Sequence, residues 1–172
     1  MIGFVSSDKK HFKPIRVATK TLGICPGSEE VYLALRGLPT LNLRLKKIES
    51  NALKLAKELN VHPLVDQVYH PAIETSKNHH IWKRDFTGSS GLFSFSLKKF
   101  YTQASIKKMF SKISVFKLGY SWGGYDSLIT FPPLSKRKFK THLNGNLIRV
   151  YCGLEDSKDQ IKDIINSLKF LK

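Results

Sequence analysis

Leu41, Leu45, Ile48, Ala52, Leu55 and Leu59 recur at steps of three and four residues. That spacing is one face of a long helix, with Ala56 beside the stripe. Arg44, Lys46, Lys47, Lys54, Lys57 and Glu58 face away from it. Pro39-Thr40 stands at the front, where a helix tolerates proline or gains from a hydroxyl. The helix should stop near Asn60, ahead of Val61-His62-Pro63. Each large side chain buried from such a stripe contributes about 1.5–3 kcal/mol before chain entropy is subtracted. The stripe therefore demands an apolar surface to lie on.

The downstream segments supply that surface. Val65–Tyr69 reads as a short strand. In Leu92–Leu97, Phe93, Phe95 and Leu97 alternate with Ser94 and Ser96, the pattern of a half-buried strand. Ile106, Met109, Phe110 and Ile113 mark a short amphipathic helix from about Thr102. Val115–Gly119 and Ser127–Phe131 read as strands, the second closed by Pro132-Pro133. Asn144-Gly145-Asn146 is a turn signal before a strand at Leu147–Cys152. Gly153-Leu154-Glu155-Asp156 then turns into a last helix, capped by Asp156 or Ser157, with Ile161, Ile164, Ile165 and Leu168 as its stripe. Short hairpin-like links predict an α+β fold, a mostly antiparallel sheet with helices packed on it. Ahead of Gly37 the pattern is weaker. Met1–Val5 reads as a strand, the stretch to Ala18 is basic and weakly periodic, Thr21–Glu30 reads as a loop, and Val31–Leu35 resumes apolar spacing. This opening has no evident hydrophobic partner of its own.

The formal charge of +16 raises nucleic acid or an anionic membrane as partners. The lysines are spread through nearly every segment, however. The one dense cluster, Lys136-Arg137-Lys138-Phe139-Lys140, follows two prolines and reads as a solvated loop without a nucleic-acid motif. A basic binding module would have to lose nucleic-acid affinity steeply with salt. No run of about 18 apolar residues exists, so no membrane-spanning helix is expected. The N-terminus lacks the apolar core of a signal peptide. Cys25 and Cys152 are far apart and outside any metal-ligand pattern, which suits a cytoplasmic protein without a metal site. His79-His80 reads as a surface pair, since adjacent side chains diverge. Gly88-Ser89-Ser90-Gly91 precedes a strand, whereas phosphate loops follow one and open a helix.

Two features point toward chemistry. Tyr120-Ser121-Trp122-Gly123-Gly124-Tyr125 crowds aromatics, a serine and paired glycines into a bend between strands. It is either a structural turn or the floor of a small-molecule pocket. Arg149 is a permanent cation among apolar neighbours in a strand. Either a carboxylate of the protein pairs with it, or it awaits an anionic ligand, for which guanidinium offers a two-pronged grip.

Four segments together resemble the PLP-dependent enzymes of cysteine and methionine metabolism: Arg36–Leu41, Trp82–Phe95, Tyr120–Tyr125, and Leu147–Arg149 through Gly153–Asp156. The Ser121-Trp122-Gly123-Gly124 form resembles the family's β-lyase branch, because relatives acting at the γ-carbon tend to have leucine in place of the tryptophan. The resemblance implies the C-terminal domain of a type I PLP-dependent transferase fold. Residues 1–38 would be a remnant of the large PLP-binding domain and residues 39–172 the C-terminal α/β domain. Pro39 departs from the Lys or Arg usual there, at a surface helix start. Arg149 would grip the α-carboxylate of a small amino-acid substrate, with Tyr120, Ser121 and Trp122 as one wall of its site. In the intact enzyme, pyridoxal 5'-phosphate chemistry would split the thioether cystathionine to homocysteine, pyruvate and ammonia, a step of methionine biosynthesis. The resemblance places the Schiff-base lysine upstream of Met1, so no catalytic or cofactor-binding residue is expected in this chain. Lys9, Lys10, Lys20 and Lys117 are substitutes only by residue type. A possible separate N-terminal half is thereby implied as a partner, as is a homo-oligomer in intact form. The alternatives are an inactive remnant and a basic nucleic-acid-binding module.

Overall fold

The computed structural model describes residues 3–134 and 142–172, and the basic cluster at Lys136–Lys140 lies outside them. The chain divides into two compact units, Met1–Leu43 and Arg44–Lys172.

The first unit is helical. α1 spans Lys9–Thr21 and α2 spans Ser28–Gly37, followed by a 3-10 turn at Leu38–Thr40. Asp8 caps α1 by accepting the His11 amide, and Glu29 and Glu30 occupy the first turn of α2, where the helix dipole favours acids. The expected strand at Met1–Val5 is absent where it can be followed: Gly3, Phe4 and Val5 belong to no regular element. The expected loop at Thr21–Glu30 is interrupted by α2, which starts at Ser28. Neither helix buries a residue, and Phe12, Val17, Tyr32, Leu33 and Leu35 are all exposed. The weak periodicity here is that of helices with no core of their own.

The second unit holds the core. α3 (Leu41–Asn60) leads into β1 (Val65–Tyr69), α4 (His79–Asp85), β2 (Leu92–Leu97), α5 (Gln103–Phe110), β3 (Lys117–Leu118), β4 (Leu128–Thr130), β5 (Leu147–Tyr151) and α6 (Ser157–Leu168). The sheet order is β1-β2-β5-β4-β3. Three of its pairings are antiparallel and β3–β4 is parallel, so the bend between those two strands is not a hairpin. Phe93 faces Val150, Phe95 faces Ile148, and Ile129 faces Val150. These side chains form one buried sheet face, joined by Leu55 and Leu59 of α3, Ile106 and Met109 of α5, and Ile164 and Leu168 of α6. The α3 stripe is buried only from Ile48 onward. Leu45 remains exposed, because the covering sheet and helices of this unit reach only the later turns, and Leu41, which falls in the first unit, is exposed as well.

The other sheet face follows from the period of two. Leu92 faces Tyr151, Ser94 faces Arg149, Thr130 faces Arg149, and Leu128 faces Tyr151. Arg149 is therefore on the open side of a central strand, half-exposed, with hydroxyl residues on both neighbouring strands. The cost of a cation in the core does not arise.

His70, just after β1, is buried against the Phe93 ring, with 5.5 Å between ring centroids. Its Nδ1 accepts the Ala72 amide at 3.1 Å, while Nε2 finds no partner in hydrogen-bond geometry. Burial lowers its pKa; the Ser90 carbonyl and the Glu49 carboxylate oppose that shift without overcoming it. A folded pKa below the ordinary 6.5 gives stability that is full above 6.5 and is lost as pH falls through the folded value. Urea midpoints should thus drop between pH 7.5 and 5, and His70→Asn, whose Oδ1 can take the Ala72 amide, should flatten that slope. His62, lowered by burial and then by Lys98, keeps the residual slope. An unchanged slope in the variant contradicts this role.

Candidate active site

The bend at Tyr120–Asp126 is pinned at each end and open in the middle. At its start, a guanidinium nitrogen of Arg149 donates to the Tyr120 carbonyl, and the guanidinium carbon lies 5.8 Å from the Tyr120 ring centroid. At its end, Leu154 N–H donates to the Tyr125 carbonyl at 2.8 Å. The Glu155 carboxylate accepts both the amide and the hydroxyl of Ser127, each at 2.7 Å. Ser127 Oγ in turn accepts Gly153 N–H at 2.8 Å and Gln160 Nε2–H at 2.9 Å. Asn51, buried on α3, donates to the Gly153 and Glu155 carbonyls. Gly153 is required by close approach: a Cβ there would collide with the Tyr125 carbonyl. Gly123 is required by its backbone, with φ at +86°.

The aromatics of this bend face solvent, with Tyr120 66%, Trp122 64% and Tyr125 71% exposed. Of these rings, Tyr120 is the one that meets the Arg149 cation. Arg149 and Tyr120 touch. Ser121 and Trp122 share their loop but stand exposed beyond them. The ion pairs of the described residues are His11–Asp8, Arg84–Asp85 and Lys117–Asp126; none involves Arg149. Of the two alternatives for this cation, pairing with an internal carboxylate is not what the described residues form. The hydroxyls flanking Arg149, Ser94 and Thr130, escaped sequence reasoning, because only the strand order brings them beside it.

The remaining chemical groups are placed elsewhere. His79 opens α4 and its Nδ1 lies 3.0 Å from the Pro71 carbonyl. Ser89 amide and hydroxyl are both taken by Glu49 at 2.7 and 3.2 Å, so a carboxylate occupies the place an anion would need. No group of three or more His, Cys, Asp or Glu among the described residues could hold a metal. No helix of the described residues is long and apolar enough to cross a membrane. Cys152 is buried, which pushes its thiol pKa far up and leaves it inert at neutral pH. A separate apolar hollow of about 610 Å³ lies under α4, lined by His70, Ile81, Trp82, Phe86 and Leu92.

On this α+β frame a strand arginine meets an aromatic bend and is paired with no carboxylate of the described residues. Residues 1–169 match the model of the Cys/Met metabolism PLP-dependent enzymes, and the chain belongs to that family. Cystathionine beta-lyase of Escherichia coli is 39% identical over 95% of this chain. L-alanine/L-glutamate racemase of Wolbachia pipientis is 35% identical over 95%. The solved structure of cystathionine gamma synthase from Xanthomonas oryzae superposes with a TM-score of 0.83 at 28% identity, covering 96% of this chain. The chain spans only 43%, 41% and 44% of these proteins, respectively.

The family is PLP-dependent. The described residues do not fit a Schiff-base site, which needs a lysine of lowered pKa in a dry setting. Every described lysine is exposed. Lys117, whose pKa does move, moves up, through its hydrogen bond to Asp126 at 2.6 Å.

Proposed function

We propose that this chain is the C-terminal, substrate-side part of a cystathionine β-lyase. The observation that carries the reading is Arg149: a half-exposed guanidinium held by the Tyr120 carbonyl and ring, not by an acid. Its fork receives the substrate's α-carboxylate, with two charge-assisted hydrogen bonds and fixed orientation. Tyr120, Ser121 and Trp122 form the wall beside it. Bound PLP supplies the electron sink for the family's chemistry. It is held by groups outside this chain, which alone is inactive. Residues 1–38 are the end of the large domain, and residues 39–172 the C-terminal domain. The unburied apolar residues of α1 and α2 suit helices that complete their packing against a separate N-terminal half and in an oligomer.

The test is a chimera in which this chain replaces the matching segment of the Escherichia coli relative. It should bind PLP and release pyruvate from cystathionine. Racemisation of alanine without pyruvate release would overturn the β-lyase reading in favour of the racemase relatives. A PLP-loaded chimera inert toward both substrates would leave an inactive remnant.

A further inference from the structure

Arg149 and Tyr151 are two residues apart on β5 and share its open face. Each donates one hydrogen bond back to the same bend. Arg149 holds the Tyr120 carbonyl, and the Tyr151 hydroxyl holds the Gly124 carbonyl at 2.8 Å. One strand thus staples the bend at two points four residues apart. The residues between the staples are Ser121, Trp122 and Gly123, which carry the proposed wall of the substrate site.

The two staples differ in permanence. Arg149 is half-exposed and is the group that an incoming carboxylate engages, so its bond to Tyr120 is exchangeable. Tyr151 is 3% exposed, set between Leu92 and Leu128 on the neighbouring strands, with its ring edge against Gly91. Burial raises its pKa above the ordinary 10, so the phenol remains a donor across the neutral range. Packing does not hold the tip: a Cβ built at Gly123 or Gly124 meets nothing within 4 Å. The Gly124 carbonyl therefore depends on the Tyr151 hydroxyl.

Resting on the carboxylate reading of Arg149, we infer that Tyr151 is a positioning residue for substrate. Its hydroxyl keeps the Trp122 wall registered over Arg149 while the guanidinium exchanges the Tyr120 carbonyl for the ligand. Without it, the glycine pair swings freely and the wall must be ordered anew at each binding event, a cost that falls on KM.

Two measurements test this. The first uses the full chain labelled with 5-fluorotryptophan. Its two tryptophans give two fluorine resonances, assigned with Trp82→Phe. Tyr151→Phe should narrow the Trp122 resonance and shift it toward that of the free amino acid, leaving Trp82 in place. Tyr69→Phe removes the β1 phenol that meets Ser96 Oγ of β2 at 3.3 Å and should move neither. An unmoved Trp122 resonance in Tyr151→Phe overturns the inference, as does a shift of both resonances together. The second uses the chimera, where Tyr151→Phe should raise KM for cystathionine about threefold to tenfold, the worth of one neutral hydrogen bond, with kcat nearly kept. Loss confined to kcat overturns the positioning role. An inactive unsubstituted chimera would sink the lyase reading instead, and the fluorine result would still decide whether Tyr151 fixes the bend.

Discussion

Replacing Arg149 by leucine should lower kcat/KM of the chimera for cystathionine by roughly 10²–10³, the effect of deleting one partner of a desolvated charge pair. Lysine at this position should recover only a small part. It restores the charge but not the planar fork that meets both carboxylate oxygens. The fold should be indifferent to either change. Arg149 stands on the open sheet face between Ser94 and Thr130, and the core face of β5 is made by Ile148, Val150 and Cys152. An equal urea midpoint with lost activity is therefore the expected pair of results. A variant with full activity would show that the carboxylate binds elsewhere.

Asp163→Ala should cost about 3–5 kcal/mol of unfolding free energy. Asp163 lies on the buried face of α6 and accepts four hydrogen bonds. Oδ1 takes the amide and hydroxyl of Ser114 at 2.8 and 3.0 Å; Oδ2 takes the amides of Val115 and Phe116 at 2.9 and 3.0 Å. Three successive backbone donors would lose their acceptor at once. The figure stays below the sum of four charge-assisted bonds because solvent can reach part of the vacated site. Asp163→Asn keeps one carbonyl oxygen but aims an amide at donors, and should lie between the two. Urea unfolding followed by circular dichroism measures both; a loss under about 1 kcal/mol for the alanine variant contradicts the assignment. Because residues 114–116 lead into β3 and the aromatic bend, the same change should also loosen the candidate site.

Much of the second unit was legible in the sequence. Period located α3 and β2, which bury one face on the common core, and the strand read at Val65–Tyr69 is β1; the start of α5 was placed within a residue, while Ile113 of its stripe lies three residues past its end at Phe110. The Asp156 cap of α6 was equally readable: its carboxylate accepts the Lys158 amide at 2.7 Å. The misses have physical causes. α1 and α2 bury nothing, so their sequences carry no core stripe to detect. α4 is only seven residues long and buries none of them, too short for a periodic signal. The strand at Val115–Gly119 shrinks to Lys117–Leu118, because Ser114–Phe116 give their amides to Asp163 and not to the sheet. The parallel β3–β4 pairing depends on a bend that carries the chain back along its own direction, which local turn chemistry does not encode. At the site, Arg149 and Tyr120–Trp122 stood out by residue type and family likeness. The staple at Tyr151 and the Glu155–Ser127–Gln160 cluster were invisible, since their partners are 5 to 33 residues away and meet only through strand order.

The most direct measurement is a crystal structure of the PLP-loaded chimera with a bound amino-acid substrate analogue. Both α-carboxylate oxygens should lie within about 2.7–2.9 Å of the Arg149 guanidinium nitrogens, with Trp122 alongside the ligand. A ligand carboxylate seated elsewhere, while Arg149 stays on the Tyr120 carbonyl or turns to an internal Asp or Glu, would contradict it.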